Sequence, residues 1–277
     1  MTRWPFHPPP HREESLTSWL NRLADANGVW LDEIIGSSLG SFTTGELDHH
    51  APPLLLQELH EKTGVQPDVI RSMTLAGWVP WLFDTLDGSA TDAFDTYLQG
   101  SVILAPGEAR DRRVGPWRPW LPPEPLYRVC PDCLATPGRG VTLFSQLPLM
   151  LSCPEHGMRL LPFYGVPGLP YAVTCEGPEE PVPASVLALD ALTHQGISTG
   201  VVSLPAREVH VGIWLRLLRT MIHELTAPTS HLRAGSLRSV RQVWDSIGRP
   251  NRRGSSRWRP YEQLSWQSQQ EILLAVA

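Results

Sequence analysis

The sequence predicts a mainly α-helical protein carrying one small β ribbon. An N-terminal helix-turn-helix unit, a central ribbon and a C-terminal helical unit follow one another. Three observations carry this reading. Two matched knuckles, Cys130-Pro131-Asp132-Cys133 and Cys153-Pro154-Glu155-His156-Gly157, stand nineteen residues apart, which is the spacing of a zinc ribbon. Apolar residues recur at helical spacing on both sides of it. Proline (28) and glycine (22) are abundant and break the chain into short elements. The expected parts are an extended arm over 1–14, a helical domain with helix-turn-helix over 15–125, a ribbon with its Pro/Gly-rich extension over 126–180, and a helical domain over 181–277.

Within the knuckles, two residues separate each pair of ligands because a tight turn must aim both side chains at one ion. A proline stiffens each turn, and Gly157 follows the last ligand where a left-handed backbone is often needed. Cys130, Cys133, Cys153 and His156 are therefore the expected ligands of one structural Zn²⁺. Two pairs with prolines in register favour a metal over a disulfide. Four protein ligands would close the tetrahedron and leave no position for water or substrate. Between the knuckles, Val141-Thr142-Leu143-Phe144 and Leu149-Met150-Leu151 read as two strands joined around Gln146-Leu147-Pro148.

The totals exclude several classes. A hydrophobic fraction of 42% supports a core and rules out a disordered chain. No apolar run reaches the ~20 residues of a membrane helix. Pro8-Pro9-Pro10 without an apolar stretch does not read as a signal peptide. Cysteines placed as metal ligands then point to a reducing cytoplasm. The net charge of −5 is unevenly spread: residues 1–129 sum to −7, 130–204 to −4 and 205–277 to +6. Such asymmetry implies different partners at different ends.

Along the chain, helix chemistry begins at Glu13-Glu14, acids suited to a positive helix end. Leu16, Trp19, Leu20, Leu23 and Ala24 share a face, and Asn27-Gly28 stops the helix. Leu31 to Leu39 reads as a second short helix. Leu54–Thr63, the turn Gly64-Val65-Gln66-Pro67 and Asp68–Leu75 fit a helix-turn-helix. Arg71 is nearly its only cation, so binding of protein is as good a reading as binding of DNA. Cys175 lacks a Cys-x-x partner and reads as a lone thiol or the remnant of a second metal site. The C-terminal unit opens near Pro205. Its helices run from Val209 through Leu225, from Ser239 to Ile247 and from Glu262 to Val276.

Three of these motifs resemble one family. Glu14-Ser15-Leu16-Thr17-Ser18-Trp19-Leu20-Asn21-Arg22-Leu23-Ala24 resembles the N-terminal signature of TniQ/TnsD proteins. Arg128-Val129-Cys130-Pro131-Asp132-Cys133-Leu134 with Cys153-Pro154-Glu155-His156-Gly157 is similar to their first zinc ribbon, and the hairpin around Thr63-Gly64 to their helix-turn-helix. The resemblance spans roughly residues 10–165. It implies a non-catalytic role in DNA transposition: selecting the target through attachment-site DNA or a CRISPR effector complex, and recruiting an AAA+ ATPase that engages the transposase. Many members carry a second Cys-x-x-Cys ribbon, where this chain has only Cys175. Members that read an attachment site alone are often much longer, so an adaptor role fits this length. A homodimer stays open, as does a zinc-ribbon transcriptional regulator without transposition machinery.

An enzyme does not fit the motifs. His223-Glu224 has no second histidine to make His-Glu-x-x-His, and no glycine-rich phosphate loop is present. A deaminase would need His-x-Glu ahead of its Cys-x-x-Cys pair. One charge run remains: residues 232–260 hold eight arginines against Asp245. Arg249, Arg252, Arg253, Arg257 and Arg259, with Trp258 able to stack on a base, are the expected nucleic-acid contacts, and a solvated loop is the alternative.

Overall fold

The computed structural model describes residues 3–36, 47–48, 51–74, 127–136, 139–227, 232–249, 261 and 264–277. They fall into two compact units. One takes the described residues of 3–74 together with 127–182; the other takes those from 183 onward. Helices dominate, and the strands are few and short.

In the first unit, α1 (Leu16–Asn27) is capped by Ser15, whose hydroxyl accepts the Ser18 N–H, and ends at Gly28 in the left-handed region with φ 67°. The chain then enters α2 (Leu31–Ile35). Helices α3 (Pro53–Thr63) and α4 (Pro67–Ser72) follow, each with proline in its first turn and joined across Gly64-Val65-Gln66, as proline's fixed φ and missing N–H allow. Leu75, the expected end of the second hairpin helix, lies outside the described residues. Leu16, Trp19, Leu20, Leu23, Ile35, Leu55, Leu59 and Ile70 form one buried core. Each such side chain contributes about 1.5–3 kcal/mol on burial. The N-terminal arm runs extended over this core, held where Trp19 Nε1 donates to the Pro8 carbonyl at 2.9 Å and the Trp4 N–H to that of Lys62 at 3.0 Å.

The start of α1 corrects the sequence reading. Glu14 does not serve the helix end, because Ser15 already caps it. Glu13 takes φ 60°, and Glu14 turns inward to complete burial. There its carboxylate accepts from Ser18 Oγ at 2.8 Å and Arg22 Nε at 2.9 Å.

The same unit holds a three-stranded antiparallel sheet, β1 (Arg128–Val129), β2 (Leu161–Gly165) and β3 (Val173–Cys175), in that order. Val129 faces Leu161, and Phe163 faces Cys175. A short helix α5 (Pro131–Ala135) leaves β1.

The two strands expected between the knuckles do not form. Phe144–Gln146 is a 3₁₀ turn, and Thr142 bridges to Glu14 instead of to its own neighbour. The physical reason is Arg128. Its buried guanidinium donates to the carbonyls of Leu147, in the expected turn, and Met150, in the expected second strand, so the segment curls around Arg128 instead of pairing with itself. Leu143, Leu147, Leu149, Met150 and Leu151 are still buried, so the apolar run is core without being strand.

In the second unit, α6 (Ala184–Thr199) leads into a hairpin of β4 (Val201–Leu204) and β5 (Arg207–His210), then α7 (Val211–Thr226), α8 (Ala234–Ser246) and α9 (Trp266–Val276). Gly196 lets α6 lie against this hairpin and α7: a Cβ there would come within 2.7 Å of Val202 and 2.9 Å of Val211. Trp214 on α7 donates its indole N–H to Thr193 on α6 at 3.0 Å. The sequence reading found α7, α8 and α9 but passed over α6 and the hairpin; Val209, the expected start of α7, lies in β5, α8 starts at Ala234 ahead of the expected Ser239, and α9 starts at Trp266 after the expected Glu262. No described helix is long and apolar enough to cross a membrane.

Candidate metal centre

Cys130 follows β1 as the N-cap of α5, and Pro131 opens α5, so one turn of helix carries Cys133 back toward Cys130; the Leu134 N–H closes that turn on the Cys130 carbonyl at 3.0 Å. The second knuckle is a tight turn in which the Gly157 N–H donates to the Cys153 carbonyl at 2.8 Å, with Gly157 at φ 65°. The left-handed residue expected after the last ligand is there. Ser152 bridges to Arg159 and fixes the base of this turn.

These two turns bring Cys130, Cys133, Cys153 and His156 together with all four donor atoms within 4.8 Å of one another. His156 Nδ1 stands 3.5 Å from Cys130 Sγ, 3.3 Å from Cys133 Sγ and 3.6 Å from Cys153 Sγ, and Cys133 Sγ stands 3.7 Å from Cys153 Sγ. A tetrahedral ion with Zn–S of ~2.3 Å and Zn–N of ~2.0 Å would set S···S near ~3.8 Å and S···N near ~3.6 Å. The donor set fits that ion and can hold a metal. At 3.7 Å the two sulfurs are well beyond a disulfide bond of about 2.05 Å, and all four cysteines are free thiols. The three cysteines of the cluster are buried and the histidine ring is half-buried.

Crowding shapes the protonation of the thiols. Cys133 is pushed up by its contacts with Cys130 and Cys153 and then by burial. Cys153 is held down by its contacts with Cys130 and Cys133, helped by the N–H groups of His156 and Glu155. Three thiols at this spacing do not ionise together without a cation among them.

Beside the ligands lies an ion pair that the motif alone does not announce. Arg139 makes a two-pronged contact with Glu155, Nη1 to Oε1 at 3.0 Å and Nη2 to Oε2. Arg139 holds the Glu155 carboxyl below its usual range. Glu155 Oε1 in turn lies 4.0 Å from His156 Nε2, on the side of the ring away from the sulfurs. At 4.0 Å this is a charge contact and not a hydrogen bond; the Arg139 guanidinium would offset part of the negative charge of three thiolates if a divalent ion were bound. Cys175 is elsewhere, on β3 opposite Phe163. Among the described residues no second group of three or more metal-ligating side chains assembles.

Of the expected nucleic-acid contacts, Arg249 is described, with Nη1 3.5 Å from Glu271 Oε1 on α9. Arg252, Arg253, Arg257, Trp258 and Arg259 lie outside the described residues.

A family model described as TniQ matches residues 5–160. The chain belongs to the TniQ family. The matched span takes in the arm, α1 to α4, β1, α5 and both knuckles. Membership makes this TniQ protein a transposition-associated target-selection protein, in a family whose members are non-catalytic adaptors. No curated protein and no solved structure matches the chain.

Proposed function

We propose that this TniQ protein is a zinc-stabilised adaptor that links a target-recognition complex, a CRISPR effector or attachment-site DNA, to an AAA+ regulator of transposition. The observation that carries this reading is the family match over residues 5–160, whose described residues all fall in one compact unit built from both the helical and the Cys/His segments. Cys130, Cys133, Cys153 and His156 would hold one zinc ion. Zinc bound there supplies a crosslink between two knuckles that are otherwise twenty residues apart in chain, and no reactive position. The Arg139–Glu155 ion pair would stand beside His156, and the arm and α1 are fastened to the insert between the knuckles.

The alternative of a stand-alone DNA-binding regulator is less well supported. Helix α4 exposes Asp68, Val69, Arg71 and Ser72, an acid for its one base, and a phosphate-facing helix needs a surplus of cations.

The test is to search the genomic neighbourhood for an AAA+ ATPase and a transposase and to reconstitute the protein with them. Co-elution with the ATPase is expected, together with insertions clustered at defined sites. Cys133→Ser should lose both. Intact protein that neither associates with the ATPase nor alters where insertions fall would refute the adaptor reading.

A further inference from the structure

Three exposed aromatic residues are tied to or follow the last turn of α1: Phe6 (61% exposed), Trp30 (80%) and Tyr171 (74%). They come from distant parts of the chain and are fastened to that same turn. The Asn27 side chain donates to the Phe6 carbonyl at 2.6 Å and to that of Leu23 at 2.8 Å. Tyr171 donates its hydroxyl to Asp25 Oδ1. Trp30 follows two residues after the Gly28 cap, where the Val29 N–H returns to the Ala24 carbonyl at 3.1 Å. The hairpin that carries Tyr171 is seated tightly, since a Cβ on Gly168 would come within 2.3 Å of the Ser18 carbonyl. The aromatics are therefore presented on a fixed frame.

The exposed charged residues of 23–36 are all acids. Asp25, Asp32 and Glu33 are all exposed, and Glu33 Oε2 accepts the Trp30 N–H at 3.0 Å, which keeps a carboxylate beside the indole. Residues 4–11, 23–36 and 160–175, the segments that build the surface, contain no Lys or Arg. Asp25 sits at a helix C-terminus, where the backbone carbonyls already carry partial negative charge and a cation is the favoured neighbour. Exposed aromatic faces next to carboxylates at a negative helix end suit a guanidinium, which stacks on the ring while its N–H groups reach the acids.

We propose that this face docks an arginine-bearing segment of a protein partner, with Trp30 as the stacking anchor and Asp25, Asp32 and Glu33 as the charge partners. Three carboxylates in a stretch, 23–36, that holds no Lys or Arg disfavour phosphate, which sets nucleic acid and anionic membrane aside. The proposal goes beyond the adaptor reading and requires neither zinc occupancy nor transposition to be tested.

The experiment measures binding of a labelled Arg-Gly repeat peptide to the full-length protein by fluorescence anisotropy. A Glu-Gly repeat peptide and duplex DNA serve as competing probes. Trp30→Ala should weaken the arginine peptide about fivefold or more, the size of one cation–π contact, and Asp32→Asn with Glu33→Gln should weaken it further. Far-UV circular dichroism and zinc content should stay unchanged, because Trp30 lies outside the core. Glu176→Gln with Glu179→Gln, exposed acids outside α1 and α2, should leave binding intact. Equal losses from both acid pairs would mean non-specific charge attraction and overturn the proposal. So would an unchanged Trp30→Ala variant, absence of arginine-peptide binding, or a Trp30-dependent preference for duplex DNA.

Discussion

Ser18 Oγ on α1 accepts the backbone N–H of Val141 at 2.9 Å, across 123 positions of sequence, while donating to Glu14 at 2.8 Å. One hydroxyl thus joins the N-terminal helix to the insert between the knuckles. Ser15 N–H to the Val141 carbonyl at 2.9 Å and Leu143 N–H to the Glu13 carbonyl at 2.9 Å extend the join into a short antiparallel bridge. Gly140 is needed at its edge, for a Cβ there would fall 1.8 Å from Glu14 Oε1.

The first prediction follows from the buried pair in this network. Glu14 is fully buried and Arg22 nearly so, with Nη2 to Oε2 at 2.5 Å. Arg22→Ala leaves a buried carboxylate without its cation and should cost about 3–5 kcal/mol. Ser18→Ala removes one neutral partner and should cost about 1–3 kcal/mol. Urea denaturation of the full-length protein gives both values. Arg22→Ala no more damaging than Ser18→Ala would mean that the ion pair does not hold the join.

What the sequence made legible, and what it hid, separates along the range of the forces involved. The knuckles were readable because ligand spacing and the glycine after His156 are local requirements of a turn. Helices α1 and α7 were readable because an apolar stripe repeats every turn. Glu14 was misread because its role is set by Arg22 and by Gly140, one of them far along the chain. The insert was misread as a hairpin because its apolar residues suit a strand equally well, and the segment curls around Arg128 instead. Helix α6 was passed over because apolar and small residues are distributed around it, so no stripe stood out.

A second prediction concerns Asp48, which is buried and accepts the Thr17 N–H at 2.7 Å and Gln146 Nε2 at 2.9 Å. Burial raises its pKa above 3.8, against the lowering effect of those hydrogen bonds. In the window between 3.8 and the raised value the folded state binds more protons than the unfolded chain. Stability contributed by this group therefore grows as pH falls through that window and is lost as pH rises through the folded pKa. Relative to Asp48→Asn, the parent protein should gain stability on mild acidification, read from denaturation midpoints at a series of pH values. An advantage that instead shrinks toward acid would reverse the assigned sign.

The third prediction addresses the ion pair beside the metal ligands. If Glu155 orients His156 and Arg139 holds Glu155, either Arg139→Ala or Glu155→Gln should weaken zinc binding by about 10- to 100-fold. Cys133→Ser should go further and unfold the ribbon, because zinc binding at such sites is largely folding energy. Competition with a chromophoric chelator measures the affinities, and a matched circular dichroism spectrum separates lost affinity from lost fold in the first two variants. Affinities equal to that of the parent would show that the pair is only a surface salt bridge.

The last prediction concerns the arginine-rich stretch before α9. Arg249 already faces Glu271 at 3.5 Å, so it is left in place. Arg252, Arg253, Arg257 and Arg259 are the cations to replace, with Trp258 between the last two. If they neutralise phosphates on target DNA or guide RNA, each contact releases condensed counterion. The logarithm of affinity then falls against the logarithm of salt by about 0.9 per contact on duplex DNA. Replacing all four should flatten that slope by a few units while zinc content and helicity hold. Sequence preference should barely move, because phosphate contacts position a protein without reading bases. Trp258→Ala should weaken single strands more than duplex, since stacking needs an exposed base face. A quadruple variant with an unaltered salt slope would make the stretch a solvated loop, its positive charge merely offsetting the acids of residues 1–129.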